Sequence, residues 1–247
     1  MKTLFPAGPR WWPTLSLLTM KYGWVLAGAL LLGACASGPR PPDWKIEAKG
    51  AMARSLAAYL EGNSRVEGAE LVRARSELSR TGRADLLATA ELLHCASRVA
   101  SLVFEPCAGF APLRQDALAS QRVYADYLSG GTIGPAQIAL LPETQRAAAA
   151  GNANALAGIA DPLSQLVAAG TLLQSGKASP AVIGLAIEAA SAQGWRRPLQ
   201  AWLGVQLQRA EQAGDGLQVA SLRRRLAIAQ GQAAPAQAIV PDIVKDR

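Results

Sequence analysis

The sequence contains one histidine, His94, three cysteines and few aromatic residues, and these shortages exclude several kinds of active site. With one histidine, metal sites built from several imidazoles and Ser-His-Asp triads lose their support. His94 and Cys95 are adjacent, and neighbouring residues of a helix do not face each other, so we expect no catalytic Cys-His pair there. The glycines form neither a GxGxxG nor a GxxxxGK[ST] motif, so no nucleotide site is predicted.

The sequence also lacks strand patterns and a long apolar run. No stretch alternates apolar and polar residues over five or more positions, so no sheet is predicted. The main apolar run, Tyr22 to Ala36, has 15 residues. A membrane-spanning helix needs roughly 20 residues, so this run is short for a transmembrane segment.

The apolar run has the layout of a secretory signal, with Lys21 before it and small residues at its end. Its last residues, Leu32-Gly33-Ala34-Cys35, resemble the lipobox of bacterial lipoproteins. The resemblance implies lipidation of Cys35, cleavage after Ala34 and a mature chain that begins at Cys35. Ordinary secretion and a membrane-spanning helix are the alternatives.

In that family the cysteine carries several acyl chains, palmitate among them, and several chains give stable membrane anchoring. Ala36 rather than Asp follows the cysteine, which by resemblance to the sorting rule of enterobacterial lipoproteins implies the outer membrane, facing the periplasm. The prolines and tryptophans of residues 1–19 are unusual before such a signal. We therefore expect translation to begin at Met20.

The charge balance does not favour nucleic acid as a partner. The net charge is +7, and removal of Lys2, Arg10 and Lys21 with the signal lowers it by three, to +4. A nucleic-acid surface needs clustered basic residues with aromatic residues among them. In the periplasm, the anionic partners of the arginines would be lipid headgroups, peptidoglycan or acidic protein surfaces.

Cys95 and Cys107 remain after Cys35. In an oxidising compartment such a pair usually forms a disulfide, here between a helix and the loop that follows it. Two free thiols are the alternative. No cofactor and no metal site are predicted, because the cysteine spacing matches no zinc pattern.

The chain divides into a signal peptide (1–34), a lipidated cysteine with a Pro/Gly tether (35–43), a helical domain (44–232) and a flexible tail (233–247), with a sub-boundary considered near 130–135. The domain is predicted to be all-α, built from antiparallel helical hairpins. One predicted helix begins at Ser64, where Ser64 and Glu67 form a capping box. The other predicted helices are Ala84–Leu102, Arg114–Leu128, Ala136–Leu140, Pro142–Ala150, Ala153–Ala160, Pro162–Leu173, Val182–Ala192, Arg196–Ala213 and Leu217–Gln230.

Two inter-helix turns, Glu61-Gly62-Asn63 and Ala213-Gly214-Asp215, resemble those of tetratricopeptide repeats, and Trp202-Leu203-Gly204 resembles a motif in the first helix of that family. The resemblance implies a short solenoid of helix pairs. An irregular helical bundle is the alternative, because no period of about 34 residues repeats.

Basic and aromatic residues near the C-terminus predict a partner-binding patch. Arginine and tryptophan are favoured anchors at interfaces. The predicted patch comprises Trp195, Arg196, Arg197, Trp202, Arg223, Arg224 and Arg225. The alternative is that Trp202 belongs to the core and the arginines are only solvated. Glu67 and Glu70 are expected on a solvated helix face, paired with Arg73 and Arg75.

These features favour a non-catalytic adaptor or scaffold, anchored by lipid in the outer membrane, that binds an envelope protein. One alternative is a peptidoglycan-acting enzyme, which would need a cleft holding a carboxylate near Glu91 or Glu188. Another is a small-ligand binder with a deep apolar pocket near Tyr124, Tyr127 or Trp202.

Overall fold

The computed structural model describes residues 41–232, and within them the chain is helical, with no strand. Its α-helices are α1 (Asp43–Glu61), α2 (Ser64–Ser79), α3 (Ala84–Ala100), α4 (Ala119–Leu128), α5 (Pro135–Ile138), α6 (Glu143–Ala149), α7 (Pro162–Gln174), α8 (Pro180–Ala192), α9 (Arg196–Gln212) and α10 (Gly216–Ala229). Two short 3₁₀ helices lie at Ala111–Leu113 and Ala153–Gly158. The all-α prediction is confirmed. The signal peptide, the lipobox and the C-terminal tail lie outside the described residues.

Local capping explains where four of the ten α-helices of the described chain begin. The side chains of four N-cap residues accept a hydrogen bond from the third backbone amide after them: Asn63, Asp161, Ser179 and Asp215. The predicted capping box of Ser64 and Glu67 is therefore wrong. Asn63 caps α2, and Ser64 is the first residue of the helix.

The segment before α4 departs from the predicted helix Arg114–Leu128. Residues 114–116 form a turn after the first 3₁₀ helix, Leu118 is extended, and α4 begins only at Ala119. The Gln121 side chain accepts a hydrogen bond from the backbone amide of Leu118, which helps to define this later start. Tyr124 and Tyr127 lie on α4, as predicted.

The helix α3 lies at the centre of the fold. It packs against α2, α4 and α7, and its buried apolar residues from Leu92 onward belong to the largest buried cluster. Gly170 of α7 lets the two helices approach closely, because a Cβ there would come within 2.5 Å of the Val99 carbonyl oxygen. The same buried cluster contains residues from both sides of the largely exposed loop 130–135, so one core extends across that loop.

The chain closes on itself through α9. This helix packs against its sequence neighbours α8 and α10 and also against α1, which lies far away in the sequence. In a solenoid each repeat contacts only its neighbours. The closed contacts therefore favour the irregular bundle over the short solenoid.

Cys95 of α3 and Cys107 of the following loop lie at disulfide distance, with their Cα atoms 5.7 Å apart. The chain turns sharply between them, and Leu102 has a positive φ of 61°. A crosslink over this separation would stabilise the fold by about 3 kcal/mol, because it restricts the unfolded chain.

Candidate interaction surface

The position of α9 is set by Trp202. Its side chain is 0% exposed, and its indole Nε1 donates a hydrogen bond to the carbonyl oxygen of Ala100 at 3.1 Å. That carbonyl lies in the last turn of α3, where no partner within the helix is available. Trp202 therefore belongs to the core and contributes nothing to an outer surface.

Arg196, which is exposed, and Arg197, which is half-buried, both donate hydrogen bonds within the chain. Arg197 Nε donates to the Tyr59 carbonyl at 2.7 Å, and its Nη2 donates to Ser64 Oγ at 2.8 Å. Arg196 Nε donates to the Glu61 carbonyl at 3.1 Å. Both arginines thus serve the C-terminal end of α1, which has no basic residue in its own last turn.

These contacts explain why two arginines occupy the first turn of α9, where positive charge is normally unfavourable. The N-terminal end of a helix carries partial positive charge, so cations in the first turn of α9 are disfavoured by their own helix. The C-terminal end of α1 carries partial negative charge, and its last carbonyl oxygens can accept further hydrogen bonds, although the Tyr59 carbonyl already accepts one from the Gly62 amide. The guanidiniums of Arg196 and Arg197 satisfy that end, which stabilises the contact between α9 and α1. Trp195, just before them, is half-buried against the core.

The Tyr59 ring lies between two guanidiniums. Arg98 lies 4.5 Å from the ring centroid and Arg197 lies 4.3 Å from it. Stacked cations of this kind are attracted by the aromatic ring. Burial raises the pKa of the Tyr59 hydroxyl, so this side chain stays neutral between its charged neighbours. The stack links α1, α3 and α9.

Glu67 completes this group from α2. It is 5% exposed, and its Oε1 lies 3.0 Å from His94 Nε2 and accepts a hydrogen bond from Arg98 Nη2 at 2.9 Å. Charged groups are rarely buried unless they are paired in this way. The prediction that Glu67 lies on a solvated face is wrong. The spacing of His94 and Arg98, four residues apart on one helix face, was the available signal for a shared partner.

The other predicted carboxylates also take structural positions. Glu91 is 4% exposed and accepts two hydrogen bonds from Arg75, at 2.5 and 2.7 Å, which raise the pKa of the Arg75 guanidinium. Glu70 pairs with Arg54, so the expected pairing of Glu67 and Glu70 with Arg73 and Arg75 is wrong. Glu188 is exposed on α8.

The helix α10 contrasts with α9. It forms the predicted antiparallel hairpin with α9, joined by Gly214 at φ 70°, and Gln200 of α9 donates a hydrogen bond to the Ala229 carbonyl. Leu222 is the single fully buried residue of α10. Most of its surface therefore faces away from the core.

The residues on the outward side of α10 recur at intervals of three or four positions, which places them on one face. We call this surface the α10 face. At its two ends lie Leu217, 88% exposed, and Ile228, 62% exposed. Between them lie exposed small residues and one arginine: Ala220, Ser221 and Arg224.

Arg223 and Arg225 flank the α10 face, and both are exposed. Arg223 pairs with Glu211 of α9 at 2.8 Å. Arg224 and Arg225 form no ion pair with any residue in the range 41–232. The predicted patch therefore divides into two parts. Arg196 and Arg197 are hydrogen-bonded to residues at the end of α1 and the start of α2, whereas Arg224 and Arg225 on α10 form no ion pair in the described chain.

Within the described part of the chain, no cluster of three or more histidine, cysteine, aspartate or glutamate residues has the arrangement of a metal site. In that same part, no helix combines the length and the apolar character that crossing a membrane requires. No protein-family model, curated protein or solved structure matches this chain.

Proposed function

We propose that this chain is a non-catalytic adaptor or scaffold, anchored by lipid in the outer membrane, that binds an envelope protein through the α10 face. The observation that carries the proposal is the pair of highly exposed aliphatic residues, Leu217 and Ile228, on either side of an exposed arginine. Apolar anchors combined with arginine are favoured at protein interfaces. The anchor rests on the lipobox resemblance at Cys35.

The charge of α10 indicates the chemistry of the partner. Arg224 and Arg225 would attract carboxylates, and a partner that carries them would associate faster at low salt. Leu217 and Ile228 are eleven residues apart, which corresponds to about 16 Å along the helix. The expected partner presents two apolar contacts at that distance with acidic groups between or beside them.

A second copy of this chain fits the α10 face less well. In an antiparallel pairing of two α10 helices, Leu217 would meet Ile228, but the three arginines of each copy would lie near the centre of the interface. Charges of the same sign placed together in an interface cost several kcal/mol. Two exposed aliphatic residues are also a small apolar area for insertion into a lipid surface, where amphipathic helices usually bury a continuous apolar face.

The test is crosslinking in intact cells followed by mass spectrometry. We compare the native chain with the double variant Leu217→Ser/Ile228→Ser. The matched control is Ile46→Ser/Val72→Ser, which removes two exposed aliphatic residues from α1 and α2, 46% and 63% exposed. We expect the first variant to lose a protein crosslink at least fivefold and the control to keep it. Equal crosslinks in all three, or crosslinks to lipid or to a second copy alone, would contradict the proposal.

The anchor has a separate test. Cys35→Ala should move the protein from the membrane fraction to the soluble fraction, because the acyl chains attach to that sulfur. Retention of the variant in membranes would contradict the lipid anchor. The crosslinking experiment would still test the α10 face independently.

A further inference from the structure

Two adjoining cavities meet at Tyr124 and Pro142, on the side of the bundle formed by α3, α4, α6 and α7. The first has a volume of about 310 Å³ and the second about 210 Å³. Together they fall within the range of sites for small organic ligands. We call the two cavities the Tyr124 groove.

The floor of the Tyr124 groove is one face of α3. Its residues are spaced by three, four and seven positions, which brings them into line: Thr89, Leu92, Leu93 and Ala96. This floor extends about 10 Å along the helix axis. Leu140, Leu141 and Leu163 add aliphatic walls, so an extended hydrocarbon body fits the groove chemically.

The walls are held in place by contacts within the protein. Tyr124 stacks on Tyr127, with ring centroids 6.3 Å apart. The Tyr127 hydroxyl donates to Gln145 Oε1 at 3.1 Å, and Gln145 Nε2 donates to the Ser164 carbonyl at 2.9 Å. These bonds connect α4, α6 and α7. The groove is therefore formed without a ligand, which reduces the cost of ordering it on binding.

The second cavity has a polar end at Asp161. Among the described residues that line either cavity, Asp161 is the only charged one. Its Oδ2 accepts a hydrogen bond from the Ser164 amide at 2.8 Å, as the cap of α7. Asp161 is exposed at the mouth of the cavity, and its Oδ1 forms no hydrogen bond within residues 41–232, so it is accessible to a ligand. Tyr124 lines the same cavity, and burial, with smaller contributions from Tyr127 and Asp161, raises the pKa of its hydroxyl, which stays protonated.

We infer that the Tyr124 groove binds a small amphipathic cation, with its apolar body along α3 and its ammonium group at Asp161. A carboxylate at one end of an apolar groove complements a positive head group and disfavours a negative one. The inference concerns a site away from α10, and it does not rest on the proposed adaptor function.

The test uses octylammonium as a probe, with octanol and octanoate as matched neutral and anionic probes. Binding to the full chain carrying Cys35→Ala is measured by calorimetry and by amide chemical shifts. We expect octylammonium to bind more tightly than octanoate by at least tenfold and to shift the amides of the non-proline residues in the ranges 120–124, 140–145 and 161–164. Equal affinity for the three probes, or shifts confined to other regions, would overturn the inference.

Two variants separate the charge from the groove. Asp161→Asn keeps a good helix cap, so the fold is retained, and it should reduce octylammonium affinity at least fivefold without affecting octanol. Ser120→Trp places a large ring at the entrance and should reduce the affinity of both probes, with circular dichroism as the check on folding. Unchanged octylammonium affinity in Asp161→Asn would contradict the inference, whether or not Ser120→Trp folds.

Discussion

Two groups of arginines on neighbouring helices have opposite roles. Arg196 and Arg197, at the start of α9, donate to the last carbonyl groups of α1 and stabilise the closed bundle. Arg224 and Arg225, on α10, are exposed and form no ion pair with the rest of the described chain. The same residue type therefore acts as an internal contact in one helix and as accessible charge in the next.

The difference lies in what each helix packs against. The helix α9 contacts α1 and reaches α3 through Trp202, whereas α10 packs chiefly against α9. The predicted single patch combined both groups because they are close in sequence. The arginines of α9 lie beside the end of α1 and bind it, whereas the arginines of α10 have no such helix end to bind. The neighbouring helix, and not the clustering of basic residues in the sequence, therefore sets the role of each arginine here.

The largest loss of stability should come from Trp202→Ala, which tests whether α9 is held in the core. Removing a buried tryptophan leaves a cavity and an unpaired Ala100 carbonyl, and we expect a loss of about 4 kcal/mol in the free energy of unfolding. Urea denaturation followed by circular dichroism measures it. A loss below about 1 kcal/mol would show that α9 is not part of the core.

The second-largest loss of stability should come from the buried group of Glu67, His94 and Arg98. Glu67→Gln removes the charge that His94 and Arg98 contact, and we expect a loss of about 2 kcal/mol, measured in the same way. The control is Glu70→Gln, whose partner Arg54 is well exposed, and it should lose less. Equal losses in the two variants would indicate that the buried contacts of Glu67 stabilise the fold no more than the ion pair of Glu70 with the exposed Arg54 does.

A smaller effect distinguishes the two arginine groups directly. Arg197→Met removes the hydrogen bonds to Tyr59 and Ser64, and we expect a loss of about 1.5 kcal/mol. Arg224→Met removes an exposed side chain, and its stability should stay within about 0.5 kcal/mol of the native chain. The comparison fails if thermal or urea denaturation ranks the two variants in the reverse order.

The smallest effect on stability should accompany a large effect on binding. Arg224→Glu/Arg225→Glu reverses the charge beside the α10 face, and we expect a change in stability within about 0.5 kcal/mol. Crosslinking to the partner should fall, because the acidic partner is repelled. Unchanged crosslinking at low salt, where charge effects are greatest, would contradict an acidic partner.

Local signals predicted the fold well and the contacts between distant residues poorly. The bounds of α9 and α10 agree with the predicted Arg196–Ala213 and Leu217–Gln230 to within one residue, because glycine turns and caps are local in sequence. The burial of Glu67 was missed, since its partners lie 27 and 31 residues away. The Tyr59 acceptor of Arg197 lies 138 residues away, and no local pattern indicates it.

The most direct test of the central claim is photocrosslinking from single positions in intact cells. A photoreactive residue replaces Leu217 in one variant and Arg196 in another, so that one probe lies on the α10 face near Arg224 and the other lies beside Arg197. The account predicts a discrete protein adduct from position 217 and crosslinks within the chain itself from position 196. A partner adduct from position 196, with none from position 217, would contradict it.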